Sequence, residues 1–156
     1  MKTLIVAIIT LGVTASAASA ETFTFTSTST LQNAVVAPVK DAKPVQAAFI
    51  TGTTKATYAS GRATTNTFQC ADWSSTPGSL FDAYAACTYT EPGGDTASIV
   101  AGCDYANKEQ TEADCVAGLN GLDGPHKGKS GTMSWHAKTS ADGKTGSSAG
   151  TGQWND

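Results

Sequence analysis

Four cysteines, Cys70, Cys87, Cys103 and Cys115, are the residues of this sequence whose type and spacing most clearly imply chemistry. As free thiolates they would be nucleophiles or metal ligands, and as pairs they would form disulfides. No CxxC pair occurs and only two histidines accompany them, so a structural zinc site is not predicted. An even count in an exported chain indicates two disulfides, with three possible connectivities. We favour Cys70–Cys87 and Cys103–Cys115, because each pair closes a loop rich in turn residues.

The two histidines, His126 and His136, are the candidates for acid–base chemistry. His136 follows Trp135 in a segment that alternates like a strand, and it shares a face with Ser134. Residues two apart on a strand stand about 7 Å from one another, beyond hydrogen-bond reach, and no GxSxG motif is present. A surface or lumen histidine is therefore the favoured interpretation of His136, with a hydrolase as the alternative. His126, in a Pro/Gly loop, is expected to be solvated.

Tryptophan is the remaining candidate for ligand contact, since its ring combines a large apolar area with one N–H donor. Trp135 alternates with apolar neighbours and is expected in the core. Trp73 lies near Cys70 in a predicted loop, 73–79, where it would pack on a disulfide or contact a ligand. Trp73, Trp135 and His136 are thus the possible ligand contacts, and no catalytic residue is assigned.

Two further motifs fail on spacing. Gly128-Lys129-Ser130 is like part of a phosphate-binding loop, but three residues rather than four separate Gly124 from Gly128, and no helical pattern follows. The acidic residues between Cys103 and Cys115 lack the spacing of an EF-hand, so a solvated loop is favoured over a calcium site. We predict no metal and no cofactor.

The N-terminus has the pattern of a cleavable export signal: Lys2, an apolar run over residues 4–13, and small residues ending at Ala18-Ser19-Ala20. The run is too short for a membrane span, which needs about 20 apolar residues. Cleavage after Ala20 would make Glu21 the first mature residue, with cleavage after Ala17 as an alternative. The sequence therefore predicts a bacterial protein of the periplasm or exterior, with no membrane span in the mature chain and with its cysteines in an oxidising compartment.

Composition limits the partners and the core. Without its first twenty residues the chain has 136, which suits a single domain over residues 21–156. Nine Lys and Arg residues then face thirteen Asp and Glu residues, a net charge of −4, and no basic cluster indicates a nucleic-acid partner. Leu, Ile, Val and Phe number only seventeen of these 136 residues, about one in eight, which is below the roughly 20% under which a chain begins to look disordered. Such a lean core favours disulfide support.

Period-two alternation of apolar and polar residues, with turn residues between, predicts a series of short strands. They are expected at 22–30, 47–59, 62–70, about 81–90, about 96–103, 116–122, 132–137 and 144–154. Residues 31–46, which contain Pro38 and Pro44, are predicted to be a long connection, with a short helix near 31–36 as an alternative. The segment between Cys103 and Cys115 is predicted to form one or two helical turns. We predict a mainly β, single-domain antiparallel barrel, with a β-sandwich as the alternative.

A glycine pattern adds a resemblance. The segment Gly118–Trp135, with glycines at 118, 121, 124, 128 and 131, resembles a turn that precedes a strand in small exported bacterial barrels of the allene-oxide-cyclase-like kind. His126 stands where that pattern has Tyr or Phe. The closing segment Gly150–Asn155 also resembles the end of uncharacterised secreted proteins. The resemblance covers about a quarter of the chain; it implies a barrel and carries over no activity or catalytic residue.

These features together predict a non-enzymatic exported barrel that binds a small ligand or a protein partner, through a barrel mouth or through the loop of Trp73. One alternative is an envelope structural or interaction protein without a pocket. The other is a hydrolase that uses His136 with a hydroxyl from another strand.

Overall fold

A computed structural model describes residues 20–39, 44–76 and 78–155. Eight antiparallel strands form a closed barrel in which each strand pairs with the next and β8 pairs with β1. The elements are β1 (Glu21–Ala37), β2 (Val45–Tyr58), β3 (Ala63–Ser74), β4 (Ala83–Thr90), β5 (Thr96–Tyr105), β6 (Glu112–Gly121), the 3₁₀ helix η1 (Gly124–His126), β7 (Ser130–Thr139) and β8 (Thr145–Asn155). The predicted antiparallel barrel is confirmed over its sandwich alternative. The predicted export signal, apart from Ala20, lies outside the described residues.

Alternation along the strands places the apolar core in the lumen and, in β1, every threonine outside. In β1, Phe25 is 5% exposed while Thr24 and Thr26 face solvent. The same alternation continues around the barrel, because successive side chains of a strand point to opposite faces. The core consists of Phe25, Ala56, Tyr58, Ala85, Ile99, Ala101, Ala117, Leu119, Met133 and Trp154.

Small residues on β8 compensate for the few aliphatic side chains. Phe23 lies so close to Gly152 that a Cβ there would collide with its ring. The Phe23 ring thereby fills space that a larger residue on β8 would occupy. The lumen is packed in this way although the sequence has few aliphatic side chains. Among the described residues, no helix is long and apolar enough to cross a membrane.

Both predicted disulfides are present. Cys70–Cys87 joins directly opposed residues of β3 and β4, and Cys103–Cys115 joins opposed residues of β5 and β6. Each closes a single hairpin, as the preference for sequential pairing implied. Two disulfides also indicate that the protein folds in a non-reducing environment.

The prediction of a long connection over 31–46 was wrong. Residues up to Ala37 belong to β1, and β2 already begins at Val45. Pro38 and Pro44 lie between the strands, where they terminate pairing instead of interrupting it. Since β8 pairs with β1 only as far as Thr30, residues 31–37 of β1 pair on one side alone, with β2.

The helical turns predicted between Cys103 and Cys115 were also wrong. β5 continues to Tyr105 and β6 begins at Glu112, leaving a six-residue turn. The Asn107 side chain organises it, because its Oδ1 accepts hydrogen bonds from the backbone N–H groups of Thr111 and Glu112. Direct opposition of the two cysteines leaves no length for a helix.

Candidate functional site

A cavity of about 50 Å³ lies inside the barrel at the end that carries η1, hereafter the η1 end. It opens between the β4–β5 turn and the loop that joins β6 to β7. One wall is apolar and comes from the second half of the barrel. It is formed by Ile99, Leu119, Met133 and Trp154.

The opposite wall carries polar groups from the first half of the barrel. Thr54 and Asn66 are cross-strand neighbours on β2 and β3, and both are at least 95% buried. The Thr54 hydroxyl forms hydrogen bonds with Ser27, at 2.8 Å, and with the Tyr89 hydroxyl, at 2.7 Å. The Oδ1 atom of Asn66 is buried and accepts no hydrogen bond from any described residue. Asn66 is one of the residues that line the cavity, and its side chain keeps one acceptor without a partner.

His126 forms the roof of the cavity and is only 7% exposed. Its ring stacks on Trp154, with centroids 4.4 Å apart, and on Tyr58 at 6.2 Å. The Arg62 guanidinium lies 3.7 Å from the Tyr58 ring centroid, a cation–π contact. These four residues, named here the His126 stack, close the η1 end. The expectation that His126 is solvated was wrong.

The loop geometry explains how a Pro/Gly segment buries a histidine. The β6–β7 loop folds back over the end of β6, with backbone hydrogen bonds from Gly121 to Lys129 and from Gly128 to Gly121, each 2.9 Å long. A Cβ at Gly121 would collide with the His126 carbonyl. Glycine at 121 is thus required for the loop to lie against the barrel and direct His126 inward.

The hydrogen bonds of His126 define its tautomer. Arg62 can only donate, and its terminal nitrogen lies 3.3 Å from Nε2, so Nε2 accepts and the neutral ring carries its hydrogen on Nδ1. Burial lowers the pKa of His126; the carboxylates of Glu91 and Glu21 oppose that shift and Arg62 adds to it. Nδ1 is buried and has no partner among the described residues. His126 therefore has a donor without a partner and Asn66 an acceptor without one, and both residues line the same cavity.

The rim of the cavity is acidic. Glu91, Asp95 and Asp123 line it, and no lysine or arginine is among the lining residues. Asp123 accepts hydrogen bonds from the backbone N–H and the hydroxyl of Thr96. Glu91 lies 3.5 Å from the Arg62 guanidinium. This arrangement disfavours an anionic ligand at the mouth.

His136, a predicted ligand contact, lies on the outer surface of β7, away from the cavity. Its Nδ1 is 2.8 Å from Asp114 and its Nε2 is 3.3 Å from Glu112, which also contacts Lys138 at 3.2 Å. With a carboxylate at each ring nitrogen, neither nitrogen is left to activate a serine or threonine hydroxyl. The geometry gives the hydrolase alternative no support.

The two predicted tryptophan contacts are separated by the barrel wall. Trp135 faces inward, packs against the core and meets Phe25 edge-on at 6.4 Å. Trp73 belongs to β3 and not to a loop, a correction that follows from its pairing with Tyr84 of β4. It is 40% exposed and stacks on Tyr84 at 5.9 Å. Phe81 also packs outside the barrel, edge-on against Tyr84.

A second buried ionisable group lies near the disulfide of β3 and β4. A carboxylate oxygen of Asp72 and the sulfurs of Cys70 and Cys87 all lie within 4.8 Å of one another. The cysteines are joined, so they are not thiolates available to a metal. Burial raises the pKa of Asp72 from 3.8 to about 6, and its Oδ1 has no hydrogen-bond partner among the described residues.

Sequence reasoning missed Asn66 and Asp72, although a signal was present. Residues 64, 66, 68, 70 and 72 alternate along β3, so Asn66 and Asp72 share the inward face of Phe68 and Cys70. A polar residue in register with buried apolar ones indicates a lumen group. His126 carried no such signal. It lies in a loop that bends inward, and a loop shows no regular alternation of polar and apolar residues that would predict burial. No protein-family model, curated protein or solved structure matches this chain.

Proposed function

We propose that the barrel binds a small, uncharged organic molecule in the cavity beneath His126. The observation that carries the proposal is a pair of buried atoms without partners, His126 Nδ1 and Asn66 Oδ1, on residues that line one largely apolar cavity. An unsatisfied buried polar group costs about 1–3 kcal/mol, so native proteins keep few of them. A ligand with one acceptor and one donor removes both penalties.

The volume limits the size of the ligand. An engineered cavity of about 150 Å³ binds benzene, and this cavity has about 50 Å³. It therefore holds about two heavy atoms in full, and a molecule of three or four heavy atoms fits only where its other end reaches the rim. An aliphatic alcohol or a primary amide has the required size, donor and acceptor.

A matched ligand series tests the proposal. Propan-1-ol, acetamide and propionate are similar in size and differ in charge and hydrogen bonding. At about 1 kcal/mol per heavy atom, the two neutral compounds should bind with Kd values of about 1 mM. Propionate should bind at least tenfold more weakly, because the rim carboxylates repel it. Isothermal titration calorimetry with concentrated protein at pH 7.5 measures all three.

A pair of alanine variants locates the site. Ala56→Val adds two methyl groups to a residue that lines the cavity, whereas Ala86→Val adds them on the exposed face of β4. The first variant should abolish binding of the neutral compounds and the second should retain it. Equal binding by both variants, or no binding of either neutral compound to the unaltered protein, would contradict the proposal. If the neutral compounds bind as expected, native mass spectrometry of protein purified from its source would identify a retained natural ligand.

Export and processing are part of the proposal. The two disulfides support a non-reducing compartment, and the pattern of residues 2–20 supports a cleaved signal in a bacterial envelope or secreted protein. N-terminal sequencing of the protein recovered outside the cytoplasm should begin at Glu21. A chain that retains Met1 would show that the segment is not a cleaved signal.

A second candidate function is self-association through the outer surface. Val100 and Val116 are 64% and 52% exposed on adjacent strands, near the Trp73–Tyr84 stack. Exposed apolar residues clustered in this way mark interaction sites. Sedimentation velocity should show a dimer that the double change Val100→Thr and Val116→Thr converts to monomer. A protein that is monomeric at high concentration without these changes would exclude this candidate.

A further inference from the structure

Two disulfides in equivalent settings differ in one neighbour. Cys70–Cys87 and Cys103–Cys115 each join opposed residues of a hairpin, and each pairs one buried cysteine, Cys70 or Cys115, with one half-buried cysteine. Only the first has a carboxyl group close to both sulfurs. Among the described residues, no acidic or histidine side chain approaches both sulfurs of Cys103–Cys115 within 4.8 Å.

We propose that Cys70–Cys87 is a redox-active disulfide, exchanged by an external dithiol, and that Asp72 is its proton donor. The position of Asp72 is unusual for a structural residue. Its Oδ1 is buried without a hydrogen-bond partner while the disulfide is intact. Once the disulfide is reduced, a cysteine S–H becomes available as a donor to that oxygen. Reduction therefore supplies the partner that the oxidised form lacks.

Burial determines which sulfur is attacked. Cys87 is half-buried and Cys70 is 7% exposed, so a thiolate of the dithiol reaches Cys87 Sγ more readily. Attack forms a mixed disulfide at Cys87 and breaks the bond to Cys70, whose sulfur leaves inside the lumen. The Asp72 carboxyl protonates that sulfur, so no thiolate is left in apolar surroundings.

The second half of the exchange completes the balance. The remaining thiol of the dithiol loses its proton to water and attacks its own sulfur in the mixed disulfide. The Cys87 sulfur leaves and takes a proton from water, and the Asp72 carboxylate is reprotonated by solvent. Two electrons and two protons pass from the dithiol to the protein, and the dithiol is released as its cyclic disulfide.

The charge state of Asp72 gives the exchange a pH signature. Burial raises the pKa of Asp72 to about 6, so the carboxyl is mostly protonated at pH 5 and mostly ionised at pH 7.5. Tyr105 is the titratable group that interacts with Asp72: burial raises the pKa of Tyr105, and the carboxylates of Asp82 and Asp72 raise it further. An ionised Asp72 can neither protonate the leaving sulfur nor tolerate a thiolate beside it.

Dithiothreitol is the probe. The folded, oxidised protein is exposed to it from pH 5 to pH 8, quenched by alkylation, and analysed by peptide mass spectrometry for each disulfide. Rates are divided by the thiolate concentration at each pH. We expect the normalised rate for Cys70–Cys87 to fall by up to about thirtyfold between pH 5 and pH 7.5, because the protonated fraction of a carboxyl with a pKa of about 6 falls by about that factor. At pH 5 the normalised rate for Cys103–Cys115 should be lower than that for Cys70–Cys87, and it should stay constant between pH 5 and pH 7.5.

Two variants separate proton donation from local unfolding. Asp72→Asn keeps the shape and loses the titrating proton, so its normalised rate for Cys70–Cys87 should be independent of pH. Asp104→Asn changes a carboxyl on the outer face next to Cys103 and should leave both profiles unaltered. The reduction rate of Cys103–Cys115 reports whether either variant loosens the fold. Identical pH profiles for the two disulfides, or a profile for Cys70–Cys87 that Asp72→Asn does not alter, would overturn the proposal.

Discussion

His126 and Asp72 are two ionisable groups buried in different parts of one lumen, and their surroundings differ. His126 stacks on Trp154 and on Tyr58 and accepts a hydrogen bond from Arg62. Asp72 has a disulfide beside it and a carboxylate oxygen without a partner. Burial acts on both, lowering the pKa of the histidine and raising that of the acid.

Burial shifts both pKa values, but it has opposite consequences for the way in which stability changes with pH. For His126, the unfolded chain binds more protons below about pH 6.5, so this residue makes the fold weaker as the pH falls through that range. For Asp72, the folded protein binds more protons between pH 3.8 and about 6, so this residue makes the fold weaker as the pH rises. The lumen favours the neutral form of each group. The η1 end of the lumen is therefore built around a ring that is stacked and hydrogen-bonded. The part beside the disulfide of β3 and β4 holds an acid with one oxygen that has no partner among the described residues.

Displacing His126 without touching Asp72 should have the largest effect. Gly121→Ala places a Cβ against the His126 carbonyl and should force the β6–β7 loop off the barrel. We expect a loss of about 3 kcal/mol in the free energy of unfolding, as for other overpacked buried sites. Urea denaturation measures it.

Gly118→Ala is the matched control on the same strand, because a Cβ at 118 meets nothing within 4 Å. It should leave the free energy of unfolding unchanged or raise it slightly, since alanine loses less entropy than glycine on folding. If both variants lose the same stability, the inward position of His126 does not depend on Gly121.

Neutralising Asp72 should have the next largest effect. In the unaltered protein, Asp72 lowers the free energy of unfolding as the pH rises from 4.5 to 7.5. Asp72→Asn removes this contribution, so over the same range the variant should lose less stability than the unaltered protein, by on the order of 2 kcal/mol. One pKa unit corresponds to about 1.4 kcal/mol, and the partial exposure of Asp72 reduces the full value. The comparison uses oxidised protein throughout. A variant with the pH dependence of the unaltered protein would show that Asp72 is not held neutral by the fold.

Replacing His126 should have the smallest effect and the opposite sign. His126→Phe keeps a ring stacked on Trp154 and Tyr58 and removes the titrating nitrogens. The unaltered protein should lose stability relative to this variant as the pH is lowered from 7.5 to 5, because the histidine pKa is lowered in the fold. Thermal unfolding across this range measures the relative shift in Tm. A constant difference between the two proteins would contradict the assignment of a buried neutral histidine.

The sequence predicted the barrel because its evidence is periodic and local. Alternation along β1 and β7 is a property of short segments, and so are the turn residues between Cys70 and Cys87 and between Cys103 and Cys115, which favoured the two pairings that the structure contains. The prolines misled the assignment of 31–46, since a residue that ends a strand and one that breaks it look alike in sequence. Trp73 was misplaced for a similar reason, because Ser and Pro after it resemble a loop.

The candidate site was less predictable, since it depends on contacts between distant segments. His126 is buried by the ends of β2 and β8, and no local pattern encodes their meeting. Asn66 and Asp72 could have been assigned to the lumen from the alternation of β3. Their missing hydrogen-bond partners could not, because that requires the whole set of neighbours.

Ligand contact with the two unpartnered atoms is the central claim, and NMR tests it most directly. The protein is labelled with ¹⁵N, and the His126 Nδ1 and Asn66 side-chain amide resonances are followed while acetamide is added at pH 7.5. Both resonances should shift together and saturate with a Kd of about 1 mM, and Ala56→Val should show neither change. If they do not respond while the unaltered protein remains folded, the cavity is not a ligand site.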